Sequence, residues 1–288
     1  MNNVRTTVLL AGLTGLLLAI GSLCGGSEGM TVMFVISMVI NFVTYWFGDR
    51  IVLGMYGAQE VTAKESPDLI RIVAALAQKA KLPMPKVYII QTDAPNAFAT
   101  GRNPHQAAVA VTTGMLKVVD PVELEGVIAH ELAHIRNRDT LVSSIVASLA
   151  GMITTIAHIA QWAVFWGAGR NGEEGSLLGR AMEGLILIIL TPLAATLLQL
   201  GVSRSREYLA DETGASIAGN PLALARALEK LEYHAASKLM PEATPSTSHM
   251  FIVSPFSSGS RGLLANLFST HPSTKDRIAR LQELAERI

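Results

Sequence analysis

The run His130-Glu131-Leu132-Ala133-His134 sets two imidazoles one helical turn apart, with a carboxylate beside the first. Residues i and i+4 share a helix face, so both rings can reach one metal ion. Glu131 then stands where it can take a proton from water activated by that metal. In a chain of 288 residues with 7 histidines, chance gives this pattern only about 0.01 times. The chemistry indicated is metal-assisted hydrolysis; the plainer alternative is two solvated histidines on a surface helix.

Two histidines are too few for a catalytic zinc site, which takes three protein ligands and leaves one position for water. The residues after His134, Ile135-Arg136-Asn137-Arg138-Asp139, offer no glycine-and-histidine continuation of the metzincin kind. The best third ligand is Glu207, in Arg204-Ser205-Arg206-Glu207-Tyr208-Leu209-Ala210-Asp211. Glu207 and Asp211 are again i and i+4, so one carboxylate can bind metal while the other steadies a ligand. Their alternative is salt bridging to Arg204, Arg206 or Arg138. His134 precedes an apolar run starting at Leu141, and Glu207 follows one ending near Val202. Those separations are about 10 Å and about 8 Å of helix, so both ligands stand at similar height above a membrane.

The elements that must hold these groups lie in an apolar chain. Half of it is hydrophobic (50%), only 16% is charged, and the mean hydropathy is +0.37. Balanced charge, 23 basic against 23 acidic residues, leaves no electrostatic footprint for nucleic acid. Uncharged runs cover residues 6–27, 29–48, 141–169 and 184–203. Each meets the roughly 20 apolar residues needed to cross a bilayer. Arg5 before a Leu-rich stretch also suits a signal peptide, and Cys24 a lipidation site. Against these, Gly25-Gly26-Ser27-Glu28-Gly29 reads as a tight turn into a second span, and Leu23 stands where lipidation wants a small residue. The single cysteine excludes intramolecular disulfides. Basic residues crowd 49–140 and 203–288, while the loop between the last two runs holds only Arg170 and Arg180. The positive-inside rule puts both termini and both basic segments in the cytoplasm.

The expected fold is an α+β integral membrane protein. It is predominantly helical, with four transmembrane helices and a cytoplasmic zincin-like catalytic domain containing a small β-sheet. Residues 1–48 form a transmembrane hairpin and 49–140 the first catalytic part, with the sheet and the histidine helix. Residues 141–202 form a second hairpin, and 203–288 the part carrying the third ligand and the C-terminal helices. Within these, Ser66 and Pro67 start an amphipathic helix over 68–81 that Pro83 and Pro85 stop. Strands are expected at 86–90, 97–100 and 107–112. Asp120, Pro121 and Glu123 form a capping box that launches the histidine helix. Helices follow at 202–218 and from 221 to about 237, then a Pro/Ser/Thr-rich loop at 238–262 and a last helix after His271-Pro272. His158 lies inside the third run and is expected to pack between helices.

With Asp139 after the histidine motif, then Glu207-Tyr208-Leu209-Ala210-Asp211, then His271-Pro272-Ser273-Thr274, the chain resembles the HtpX-type membrane zinc endopeptidases. These are relatives of the CAAX prenyl endopeptidases and of mitochondrial stress peptidases. The resemblance spans nearly the whole chain and includes Asn96-Ala97-Phe98-Ala99-Thr100-Gly101. It implies one zinc ion per chain held by His130, His134 and Glu207, with Glu131 as general base. Asp211 and Asp139 would steady the ligands, and Asn96, Ala97 and Phe98 would border a cleft where an extended substrate adds as a β-strand. His271 would stabilise the oxyanion, or else only cap the last helix. The implied function is quality-control hydrolysis of misfolded or damaged membrane proteins at the cytoplasmic face of a bacterial inner membrane. The partners are then those substrates and the lipid bilayer, with oligomeric state open. A CAAX-type processing enzyme, a non-catalytic zinc scaffold and a transporter are the competing readings. Midplane ionisable residues, which a transporter needs, are confined to His158. Glu131 argues against a scaffold, because a structural site needs no base.

Overall fold

In the computed structural model the described residues are 2–151, 204–237, 252 and 272–287. The chain begins with α1 (Asn2–Met55), bent at Gly25 and Gly26. Gly26 has φ 57° and ψ −137°, a conformation open to glycine and costly for other residues. The bend folds the two arms of α1 against each other so closely that a Cβ on Gly21 would lie 2.5 Å from the carbonyl oxygen of Gly29. Asn41 ties the arms by donating from Nδ2 to Thr14 Oγ1 at 2.9 Å.

Four membrane-crossing helices were expected, and the structure corrects this. Among the described residues only Gly25–Met55 is long and apolar enough to cross a bilayer. The run at 6–27 lies mostly in the first arm of α1, where the described apolar stretch Thr6–Ala19 falls below that criterion. The third run is described only over Thr140–Gly151; residues 152–203, with the rest of that run, His158 and the fourth run, lie outside the described residues. What stands is a mostly helical fold with a small mixed sheet and one candidate membrane helix.

The sheet has the order β1-β2-β4-β3, from β1 (Gln59–Glu60), β2 (Lys86–Ile90), β3 (Ala97–Gly101) and β4 (Ala107–Thr112). β2 and β4 run parallel, while β3 pairs antiparallel with β4 and is the outer strand of the sheet among the described residues. Because successive side chains alternate, the sheet has two apolar faces. One carries Ile90, Phe98, Ala108 and Ala110 and takes Val52 and Leu53 from the end of α1. The other carries Val87, Val109 and Val111 and meets α2 (Pro67–Ala80) and α4 (Pro121–Arg136).

α3 (Thr113–Val118) leads into α4, the central helix of the larger core. The expected capping box is present: Asp120 accepts from the N–H groups of Val122 and Glu123, and Glu123 Oε2 accepts from Asp120 N–H at 2.9 Å. Glu123 is buried, and Lys230 Nζ meets it at 2.6 Å, which pins the start of α4 to α7 (Pro221–Ser237). α5 (Thr140–Gly151) follows α4, with Arg138 at φ 60° in the tight turn between them. α6 (Arg204–Ala218) lies across α4, and α8 (Thr274–Ala285) packs on α6 and α7.

Candidate metal centre

α4 is nearly surrounded by protein, and its polar residues are therefore held by partners rather than by water. His130 is 1% exposed and Glu131 5% exposed. The i, i+4 spacing brings His130 Nε2 and His134 Nε2 to 3.2 Å. Glu207 reaches both from α6, with carboxylate oxygens 3.7 Å from each Nε2. α6 can approach this closely because Gly214 faces the backbone of His130; a Cβ there would sit 2.9 Å from His130 N and Cα. Ligand bonds of about 2.0–2.1 Å in a tetrahedron put donor atoms about 3.3 Å apart, so the three fit one zinc ion. His130, His134 and Glu207 form a cluster able to coordinate a single metal.

The surroundings orient these donors. His130 Nδ1 lies 3.0 Å from Asp211 Oδ1, which leaves the Nε2 lone pair facing the cluster. His134 Nδ1 has Asp139 Oδ2 at 3.4 Å, and Asp139 N–H donates to His134 carbonyl oxygen at 2.9 Å. Burial works against a charged His134 ring, but Asp139, Glu207 and Glu131 outweigh it and push its pKa up to about 9. Carboxylates that draw a proton onto an imidazole in this way also favour a divalent cation among them. Burial pushes the Glu131 carboxyl up, with the two histidines opposing that shift.

Glu131 lies beside the donors and not among them. Its Oε2 accepts from the backbone N–H of Ala99, on the outer strand β3, at 2.8 Å. Asn96 is buried; its N–H donates to Thr112 Oγ1 and its Oδ1 accepts from Ile252 N–H at 3.3 Å. Ala97 faces the larger core. Phe98 points to the opposite face of the sheet and stacks near Tyr56, ring centroids 5.4 Å apart, so only its backbone belongs to this edge. His271 lies outside the described residues, as do 238–251 and 253–262 of the expected loop.

Arg277 on α8 escaped the sequence reading. It is 1% exposed and grips Asp211 with two bonds, Nε to Oδ2 at 2.9 Å and Nη2 to Oδ1 at 2.7 Å. It also donates to Ile252 carbonyl oxygen at 2.9 Å, and Glu207 Oε2 lies 3.9 Å away. Burial disfavours both charges, yet the pairing wins: it holds the Asp211 carboxyl low and the guanidinium high. In sequence Arg277 is one cation among Lys275, Arg277 and Arg280 on a charged helix, and nothing in that spacing marks it as buried.

The chain is also similar to known proteins. The model of peptidase family M48 matches residues 63–285. A protease HtpX homolog of Syntrophobacter fumaroxidans is 52% identical over 280 residues, covering 97% of this chain and 98% of its own. Another from Pyrococcus furiosus is 51% identical over 283 residues, covering 98% and 96%. The crystal structure of S. mikatae Ste24p aligns with a TM-score of 0.51 at 16% identity, over 97% of this chain and 65% of the other, a likeness of fold alone.

Proposed function

This chain belongs to peptidase family M48 and is a zinc-dependent endopeptidase, and from that we propose how its residues divide the work. His130, His134 and Glu207 hold the metal, Glu131 is the general base, and Asp211 and Asp139 fix the two imidazoles. Zinc held there supplies Lewis acidity, acidifying water and polarising a peptide carbonyl. The outer strand β3 takes an extended substrate by backbone pairing, with its carbonyl carbon near Glu131. Glu131 accepts the proton of the attacking water and returns it to the amide nitrogen as the C–N bond breaks. Arg277 acts through Asp211 on His130, as a positioning residue.

The observation that carries this reading is the place of Glu131: buried, beside three metal donors, and tethered to the strand where substrate would lie. Glu131→Gln removes the base and keeps the shape. Purified full-length protein carrying it should bind zinc at one per chain yet cleave unfolded protein about 10²–10⁴-fold more slowly. Undiminished cleavage would overturn the assignment. Glu207→Ala should lose metal and activity together, read by elemental analysis; full zinc content there would exclude Glu207 as a ligand.

The proposal includes location. The helix Gly25–Met55 anchors the catalytic unit in a cytoplasmic membrane, with the basic segments on the cytoplasmic side and misfolded membrane proteins as substrates. Two features support this: the apolar, largely exposed surface of that helix, and the concentration of Lys and Arg after it.

A further inference from the structure

The structure points to a lipid-headgroup contact that sets the height of the substrate-binding edge above the bilayer; we infer that Arg102 and Arg50, stacked on Trp46 and Phe47, bind anionic phospholipid. The inference rests on the reading that Gly25–Met55 crosses a membrane.

The uncharged run 29–48 rises about 30 Å, the thickness of the hydrocarbon layer, and Asp49 and Arg50 follow it directly. Four aromatic side chains, Phe42, Tyr45, Trp46 and Phe47, are exposed in its last two turns. Aromatic residues collect where a membrane helix meets the headgroups, so this end marks that boundary. Arg102, in the turn after β3, places its guanidinium over the Trp46 ring, 4.0 Å from the centroid. Arg50 lies over Phe47 at 5.7 Å. Among the described residues neither arginine has a carboxylate within ion-pair distance. Two cations placed over interfacial aromatic rings, with no carboxylate among the described residues at ion-pair distance, match phosphate oxygens of a bilayer surface.

The placement matters for the site. Gly101 N–H donates to Ser144 Oγ at 3.2 Å, and Ser148, one turn along α5, donates to Gly48 carbonyl oxygen at 3.2 Å. The end of β3 is thereby tied to the end of the apolar run. Ala99, whose N–H holds Glu131, precedes Arg102 by three residues, about 10 Å along the strand. Headgroups bound at Arg102 hold the cleaving edge just above the membrane, where a segment leaving the bilayer can reach it.

The test uses full-length protein in phosphatidylcholine vesicles with and without one third phosphatidylglycerol. Two substrates are compared: a short soluble peptide, and the same sequence joined to a transmembrane anchor. Wild type should cleave the anchored substrate about fivefold faster with phosphatidylglycerol, an advantage that raised salt removes. Arg102→Ala should lose most of that advantage, and Arg102→Lys, which keeps the charge without the planar guanidinium, should keep part. Soluble-peptide rates should stay equal in all, which also shows that the variants fold. No lipid preference in wild type, or a full preference in Arg102→Ala, overturns the headgroup contact. So does an equal response to inorganic phosphate over neutral vesicles, which would mean a soluble-anion site. Protein that fails to float with either vesicle removes the membrane reading, and this inference with it. The Glu131→Gln result is independent of both.

Discussion

α1 and α4 are both apolar helices, but they solve opposite problems. α4 has protein on nearly every side and still carries Glu123, His130 and Glu131 in its buried surface. Each is met by a charged or hydrogen-bonding group: Lys230 for Glu123, Asp211 for His130, the Ala99 amide for Glu131. The second arm of α1 shows Val32, Phe34, Val35, Met38 and Val39 on its exposed surface. Its polar residues bond within the hairpin, as Thr44 does to the Ile40 carbonyl and Asn41 to Thr14. One helix buries its apolar surface and makes a dry place for charges, the other leaves its apolar surface largely exposed. Changes of the same kind should therefore have large effects around α4 and small or opposite ones on α1.

The largest effect on stability is expected where the dry site holds paired charge. Arg277→Met leaves the Asp211 carboxylate buried without its cation, an arrangement that costs about 3–5 kcal/mol. Thermal unfolding in detergent, followed by circular dichroism, should show a large fall in midpoint. Adding Asp211→Asn removes the stranded charge and should restore much of that loss, while leaving His130 poorly oriented and metal binding weak. A single Arg277→Met variant that melts like wild type would mean Asp211 is hydrated, and the contrast between the two helices would fail at its centre.

The parts of this molecule legible in its sequence are those where one local pattern has one physical meaning. The i, i+4 histidines, the capping box at Asp120 and the β-branched run at Lys86–Ile90 were of that kind. So was the Gly-rich bend at Gly25 and Gly26, where a turn between two apolar runs demanded glycine. Glu207 was reached only by combining chemistry, side and depth. What stayed hidden depends on long-range packing. Nothing local tells that β2 pairs parallel with β4, or that Phe98 turns away from the cleft toward Tyr56. Burial of Arg277 is invisible for the same reason. The count of four membrane helices is overturned as well: lack of charge is a weaker criterion than length and apolarity together, which among the described residues only Gly25–Met55 meets.

The sharpest form of the comparison adds one methyl group to each region. Gly214 lies where α6 crosses α4, and a Cβ there would meet His130 N and Cα at 2.9 Å, backbone atoms that cannot swing aside. Gly214→Ala should cost about 1–3 kcal/mol by overpacking. It should also weaken zinc affinity, because α6 carries Glu207 away as it yields. Gly54, near the end of α1, has nothing within 4 Å of its would-be Cβ. Alanine there removes the entropic cost of a helical glycine and should add about 0.5–1 kcal/mol. The two variants should shift the unfolding midpoint in opposite directions, and zinc titration should separate them again, since only the first touches the site. If Gly54→Ala also destabilises, that face of α1 is packed against another surface in the working protein. The small effect would then report a partner for the very helix that looks most exposed.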